Sequence, residues 1–406
     1  MAIVVTDILT QYGQYYEKQG QNMSRLKAAP TQASETLMVP GINHLSTDET
    51  IYKMANPIFQ KVLQPFQKAF TTKGGVEFLP NEIRLSHMKV DQSFYPSDIE
   101  DSWLGFLAGD SSANQENWPI VRYLLEEYIM KQVISDKETD VVFSGKRKDP
   151  TSNVAGDPAD VMDGFAELIR AGLLNADNPM NHVAGIGDLN AADIFDQVEA
   201  FDDAINRMFA NRNIVIYCAP EMEVAYLRKK RALGYYEIKK DAEITTRIDF
   251  TNHILKGVPS MIGSKALFAT LPQNIIHLKK RDASKTNIEL QKADRLVKVL
   301  MDWWEGLGFG VNQLVWATDN LSQVTIELDH DTLSILDNGT GSLTATTNPT
   351  GTGAPTVSWK SSNEAVATVN NGTVSGVAAG SCTITATAKL NGIEVSATCA
   401  VTVTAH

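Results

Sequence analysis

Apolar and polar positions alternate along this chain with two different rhythms, and the change falls near Asp319–Asn320–Leu321–Ser322. Beyond it come short runs of period two, among them VTIEL, SLTATT, VSWK, CTITATAKL and IEVSATCAVTV, separated by DNGTG, NPTGTGAP, VNNG and NG. Turn signals at such short intervals predict an all-β sandwich. Asn391–Gly392, between two alternating runs, predicts a two-residue hairpin. Before the break the helical period is prominent. NQENWPIVRYLLEEYIMKQVISDKE predicts a helix over about 114–137, with Val121, Leu124, Leu125, Tyr128, Ile129 and Val133 on one face and Pro119 in its first turn. VMDGFAELIRAGLL and AADIFDQVEAFDDAINRMFA predict two further amphipathic helices. NIVIYCAP reads as a buried strand ending at Pro220, which opens the helix PEMEVAYLRKKRAL. ITTRIDF, GVPSMIGSKALFATL and QNIIHLKKR read as strands and turns, and KADRLVKVLMDWWEGLGFGVNQLVWATD alternates at Leu296–Leu300 and again at Phe309–Trp316. Short β-like runs (VEFL, EIRLSHMKV, SFY) around Gly74–Gly75 and Pro80 predict a long hairpin or loop. The first fifty or so residues, polar and weakly periodic with Pro30 and Pro40, predict an extended arm.

Composition narrows the function classes. A chain of 406 residues, 43% hydrophobic and 21% charged, has ample core for two or three domains. A net charge of −12 argues against a dedicated nucleic-acid binder, though not against a protein that encloses nucleic acid. The N-terminal MAIVVTDILTQYGQYYEKQGQNMSRLK lacks a basic n-region, an apolar core and a small-residue cleavage site, and no run of apolar residues is long enough to span a bilayer. The expectation is synthesis in the cytosol, no standard export and no membrane insertion.

Candidate chemistry is sparse. HExxH, Walker-type and paired CxxC motifs are absent, and the seven histidines have no His or Cys partner at helical spacing. GKRKDP departs from phosphate-loop spacing, and GIGDLN reads as a loop. Asp193, Asp196, Glu199, Asp202 and Asp203 alternate with Ile194, Phe195, Val198 and Phe201 in a pattern that fits a solvated helix face better than a cation site. Arg228, Lys229, Lys230 and Arg231 either complement a helix dipole or touch an acidic neighbour. Trp303–Trp304 fits core or subunit contact better than a ligand platform, and the sequons at Asn338 and Asn371 read as turns. No catalytic, cofactor or metal site is predicted, and so no enzyme.

What remains unexplained is apolar surface. An arm and a projecting loop cannot dry Phe66, Phe70, Val76, Phe78, Leu79, Ile83 and Phe94 by themselves. Burial yields ~25 cal/mol per Å² of apolar surface, so neighbouring copies are the economical cover. These residues, except Val76, together with Arg228, Lys229, Lys230 and Arg231, are the candidate subunit interface.

Two resemblances follow from quoted residues. SWKSSNEAVATV, NGTVSGVAAGSCTITATA and SATCAVTVT resemble the bacterial immunoglobulin-like domain, group 2, over about 321–406. Trp359 then becomes the core aromatic, faced by Val357, Ile384 and Val401. Cys382 and Cys399 sit on the last two strands, either as buried free thiols or as a cross-strand disulfide formed outside the reducing cytosol. The order of parts over 1–320, with GVPSMIGSKALFATLPQNIIHLKK and LVKVLMDWWEGLGFGVNQLVWA, resembles the tailed-bacteriophage major capsid protein of the Hong Kong 97 type. That resemblance implies an α+β fold with an N-terminal arm (1–50), an extended loop (51–110) and a peripheral domain with its spine helix (111–159 and 273–320). An axial domain (160–272) and the Ig-like β-sandwich (321–406) complete it. It further implies hexamers and pentamers of the chain forming an icosahedral shell around double-stranded DNA, assembled in the bacterial host cytoplasm. A portal and a separate scaffolding protein would be partners, and the outward sandwich would serve decoration or weak glycan or host-surface contact. No lysine–asparagine cross-link is expected. The competing reading is a bacterial surface adhesin or glycan-binding protein carrying an Ig-like module.

Overall fold

A computed structural model describes residues 30, 34–59, 63–74, 76–109, 118–205, 207–232, 246–281, 287–322, 324–348, 354–390 and 393–405. Most of the expected arm, the start of the expected long helix and the Asn391–Gly392 turn lie outside the described residues. Strands β1 (Asn43–Thr47), β2 (Ile51–Phe59), β3 (Val76–Arg84) and β4 (Ser86–Phe94) come first, followed by helix α1 (Pro96–Gly109). Helix α2 begins at Ile120, directly after an extended Pro119, and continues to Val141. Its segments Leu124–Ile129 and Lys137–Val141 are π-helical. The wider π turn rotates Tyr128, expected on the buried face, out to half exposure. Helix α3 (Phe165–Leu174), β5 (Asn181–Val183), helix α4 (Ile194–Ala204), β6 (Val215–Cys218) and helix α5 (Pro220–Ala232) follow. Strands β7 (Ile254–Gly257), β8 (Phe268–Thr270), β9 (Ile275–Lys280), β10 (Asn287–Ala293), β11 (Leu296–Phe309) and β12 (Val315–Thr318) complete the body.

Two five-stranded sheets organise the body. The first runs β1-β9-β11-β10, with β4 on the other side of β11; the second runs β5-β12-β8-β6-β7. Strand β11 is the spine of the first sheet and has two different faces. Val297, Val299, Met301, Trp303, Leu307 and Phe309 point into the main core, which also contains Leu125 and Val133 of α2. Trp304, Gly306 and Gly308 point the other way, toward the β2–β3 hairpin. In the second sheet β6 is buried along its whole length, as the apolar run NIVIYC requires of a strand flanked on both sides.

The boundaries differ from the sequence-based division at two places. Strand β4 pairs with β11 from Phe94↔Val297 to Ser86↔Glu305, so the hairpin ends near Arg84 and residues 86–109 are part of the body. Strand β12 pairs with β5 and β8, so the returning chain ends in the second sheet, not the first. The physical reason is burial: Val315–Thr318 are covered on both faces, a position that only the sheet interior offers.

The C-terminal sandwich contains β13 (Thr325–Leu328), β14 (Thr332–Leu336), β15 (Thr340–Ser342), β16 (Ala345–Asn348), β17 (Thr356–Ser361), β18 (Ala367–Asn370), β19 (Thr373–Gly376), β20 (Gly380–Leu390) and β21 (Ile393–Thr404). Its main sheet runs β14-β21-β20-β17 and faces β15-β19-β18. Asn338 and Asn371 adopt left-handed conformations at turns, φ 57° and 46°, as asparagine tolerates. Ile393 at the hairpin end is fully buried in the same contiguous core as the body, with Leu390 and Val395 packed against it. The result is an α+β body followed by an all-β sandwich seated on it.

Candidate functional site

The β2–β3 ribbon is antiparallel from Ile51↔Arg84 to Phe59↔Val76. Its root lies flat on the outer face of the first sheet. There, Ile83 and Leu85 are 2% and 1% exposed, packed with Ile276, Leu278, Leu45, Tyr52, Met54 and Trp304. The close approach is possible because β11 carries glycine at two alternate positions. A Cβ on Gly306 would fall 2.4 Å from the Arg84 carbonyl oxygen, and one on Gly308 would fall 2.5 Å from Ile83. Asn81 adds a polar pin, its amide donating to the Phe309 carbonyl at 2.7 Å. Beyond the root the cover ends. Phe78 is 64% exposed, and at the tip Leu63, Phe66 and Phe70 are 88%, 93% and 94% exposed.

Of the residues expected to need a neighbouring copy, the structure therefore divides the set. Phe66, Phe70 and Phe78 are bare. Leu79 and Ile83 are buried within the chain, Ile83 because the glycine seat brings the sheet up to it. Phe94 is half-buried against the main core at the end of β4. The side chain of Val76 lies outside the described residues. The basic run divides likewise. Arg228 and Arg231 are exposed, whereas Lys230 is buried, donating to Asp249 at 2.8 Å and to the Arg247 carbonyl at 3.1 Å. Lys230 is an internal fastener between α5 and the turn before β7.

On the opposite face of β11 lies a group of residues that sequence reasoning missed. Glu305, wholly buried, accepts from Lys137 of α2 at 2.6 Å, from the His277 ring Nε2 at 2.7 Å and from the Trp303 indole at 3.1 Å. Burial alone would raise its pKa; the Lys137 ammonium and the His277 bond outweigh that and hold it at about 2. The next residue of α2, Glu138, accepts from the backbone N–H of Thr36 at 3.1 and 3.3 Å and from its hydroxyl. A signal was present: Glu305 occupies an inward position in an otherwise apolar alternation, where a charge must be paired.

The remaining candidates take structural places. Asp202, expected on a solvated face, is buried and lies 2.5 Å from the His253 Nδ1, whose Nε2 contacts the Phe209 carbonyl at 3.0 Å. Among the described residues no three metal-ligating side chains converge. Trp303 is core, and Trp304 stacks on His87 with centroids 4.4 Å apart. In the sandwich Ile384 and Val401 are core, but Trp359 is only half-buried because β17 is an edge strand. Cys382 and Cys399 are both free and buried. The strand register puts Cys382 opposite Val401 and Ile384 opposite Cys399, so the two thiols are diagonal neighbours rather than a directly facing pair. Of the two readings, the structure holds the buried free thiols.

The parts define a mixed α+β body that projects a hairpin and carries a terminal immunoglobulin-like sandwich. Residues 322–401 match the family model of the bacterial Ig-like domain (group 2). No curated protein matches the chain. Among solved structures, a chain of the satellite phage P4 procapsid, determined with the size determination (Sid) protein, is similar at 14% identity and TM-score 0.47, covering 78% of this chain and 97% of its own. The capsid of a native GTA particle is similar at 13% identity and TM-score 0.46, covering 71% and 93%. An encapsulin complex from Synechococcus elongatus is similar at 11% identity and TM-score 0.40, covering 71% and 92%.

Proposed function

We propose that this chain is the subunit of a closed protein shell, a major capsid protein whose copies enclose a phage genome. The observation that supports this reading is the hairpin: a root locked to its own sheet and a tip that leaves three large apolar side chains to solvent. Among the described residues nothing dries that tip. A second copy would, and identical subunits joined head-to-tail repeat the contact around closed rings. On this reading the chain forms hexamers and pentamers, works with a portal and a separate scaffolding protein, and resides in the virion after assembly in the host cytoplasm. Its net charge of −12 suits enclosing double-stranded DNA without binding it specifically. The role is structural, with no turnover assigned. The sandwich, seated on the body through Ile393, stands outward for decoration or weak glycan contact, where many copies supply avidity.

Negative-stain microscopy and sedimentation of the full chain, alone and with a scaffolding protein, test the proposal. Regular shells or capsomers are expected in at least one condition. A small monodisperse species in both would overturn it. The Ig-like match favours a second reading, a surface adhesin, which detection of the chain on intact host cells without virus would support.

A further inference from the structure

Residues 34–47 cross the body as a strap, and their fastenings are ionisable. At one end Thr36 is held by Glu138 and by Ser260, whose hydroxyl lies 2.8 Å from the Thr36 hydroxyl, while Leu37 is wholly buried. Nearby, Lys137 reaches back to the Pro30 carbonyl at 3.3 Å. At the other end β1 is the edge strand of the first sheet, paired in parallel with β9 on one side only, with His44 opposite His277. The two rings meet Nδ1 to Nδ1 at 2.9 Å.

We propose that this strap is a proton-released latch: mild acid detaches the β1 end from β9 while the Glu138 end and the rest of the sheet stay in place. Only one proton can lie between two nitrogens in contact. The other nitrogen of His277 is committed to Glu305, so His44, the less buried ring, is the one open to a further proton. The groups facing a protonated His44 are the His277 ring and Lys279. The nearest carboxylate, Glu305, is already shared by Lys137, His277 and Trp303. After β1, Asp48 pairs with Arg281 at 3.4 Å and its carbonyl accepts from Lys280 at 2.7 Å, contacts that oppose release.

Burial first, then His277 and Lys279, hold the His44 pKa below its usual 6.5. A detached His44 takes up its proton near 6.5, a docked one only at lower pH. Docking is therefore fully stable above about 6.5 and loses stability as pH falls through the docked pKa. Glu305, at about 2, keeps its charge across that window, so the core pair survives the change. An edge strand of five residues, mostly exposed, is also the element with least else to hold it.

Hydrogen exchange on the full chain at pH 7.4 and 5.0, corrected for the intrinsic pH dependence of exchange, tests the latch. Protection of residues 43–47 is expected to fall at least about threefold at pH 5.0, with 296–309 unchanged. His44→Gln, which cannot titrate, should make that protection independent of pH. Lys279→Gln, which removes the facing cation, should shrink the fall. Equal protection of 43–47 in the native chain at both pH values overturns the proposal, as does an undiminished fall in H44Q. The outcome does not depend on whether the chain forms shells.

Discussion

The root and the tip of one hairpin are built from the same kinds of residue and meet opposite fates. Ile83 and Leu85 are as dry as any core side chain, whereas Phe66 and Phe70, on the same ribbon, are bare. Hydrophobicity does not separate them; the surface beneath them does. The root lies over Gly306 and Gly308, where the absence of two side chains admits the Arg84 backbone and the Ile83 side chain, and the tip extends past that seat. A projecting element can thus be seated by its own chain while its apolar end stays exposed.

The largest effect on the root is expected from the far side of β11. Glu305→Ala leaves Lys137 buried without its counter-charge, which costs about 3–5 kcal/mol. Because Glu305 sits in register between Ser86 and Lys279, one residue from Gly306, its loss should loosen the hairpin root as well as the core. Denaturant unfolding followed by tryptophan fluorescence, with hydrogen exchange at 78–85, should report both. Unchanged stability would mean that the buried ion set is not what fixes the strand.

Next in size is the seat itself. Ile83→Ala removes a side chain that is 2% exposed, and a buried Ile→Ala costs about 2–5 kcal/mol. The loss should stay local: protection of the β2–β3 root falls while the Lys137–Glu305 side keeps its own. A loss spread evenly over both faces of β11 would remove the distinction between a separately seated hairpin and a single core.

These contrasts mark how far the residues could be read beforehand. The sandwich was legible because its alternation is short and regular and its turns are punctuated. Strand β6 and helix α5 were legible from an unbroken apolar run and a proline that starts the next element. The root of the hairpin was not, because its cover comes from glycines more than two hundred residues away, and glycine in a strand announces only that something approaches. Nor were His44, Lys137, Glu138 and His277, which are brought together by sheet register and by the placing of one helix. No local spacing encodes that meeting. Trp359 packs against the sandwich core yet stays half-buried for a related reason: alternation gives the face of a strand but not whether the strand is central or at an edge.

The smallest expected effect on stability carries the largest expected effect on assembly. Phe66→Ser with Phe70→Ser changes two side chains that touch little within the subunit, so unfolding of the isolated chain should move by less than about 0.5 kcal/mol. If the tip is the part of the hairpin that a neighbouring copy dries, the same pair should abolish particle formation, because each subunit loses a contact worth ~25 cal/mol per Å² of apolar surface and a closed shell repeats that loss at every position. Ile83→Ala makes the converse case, a weakened subunit whose tip chemistry is intact and which should still assemble where it remains folded. Sedimentation of the two variants beside the native chain separates a tip that joins subunits from a root that only aims it. Shells formed normally by the double serine variant would leave the exposed phenylalanines without a role in joining copies.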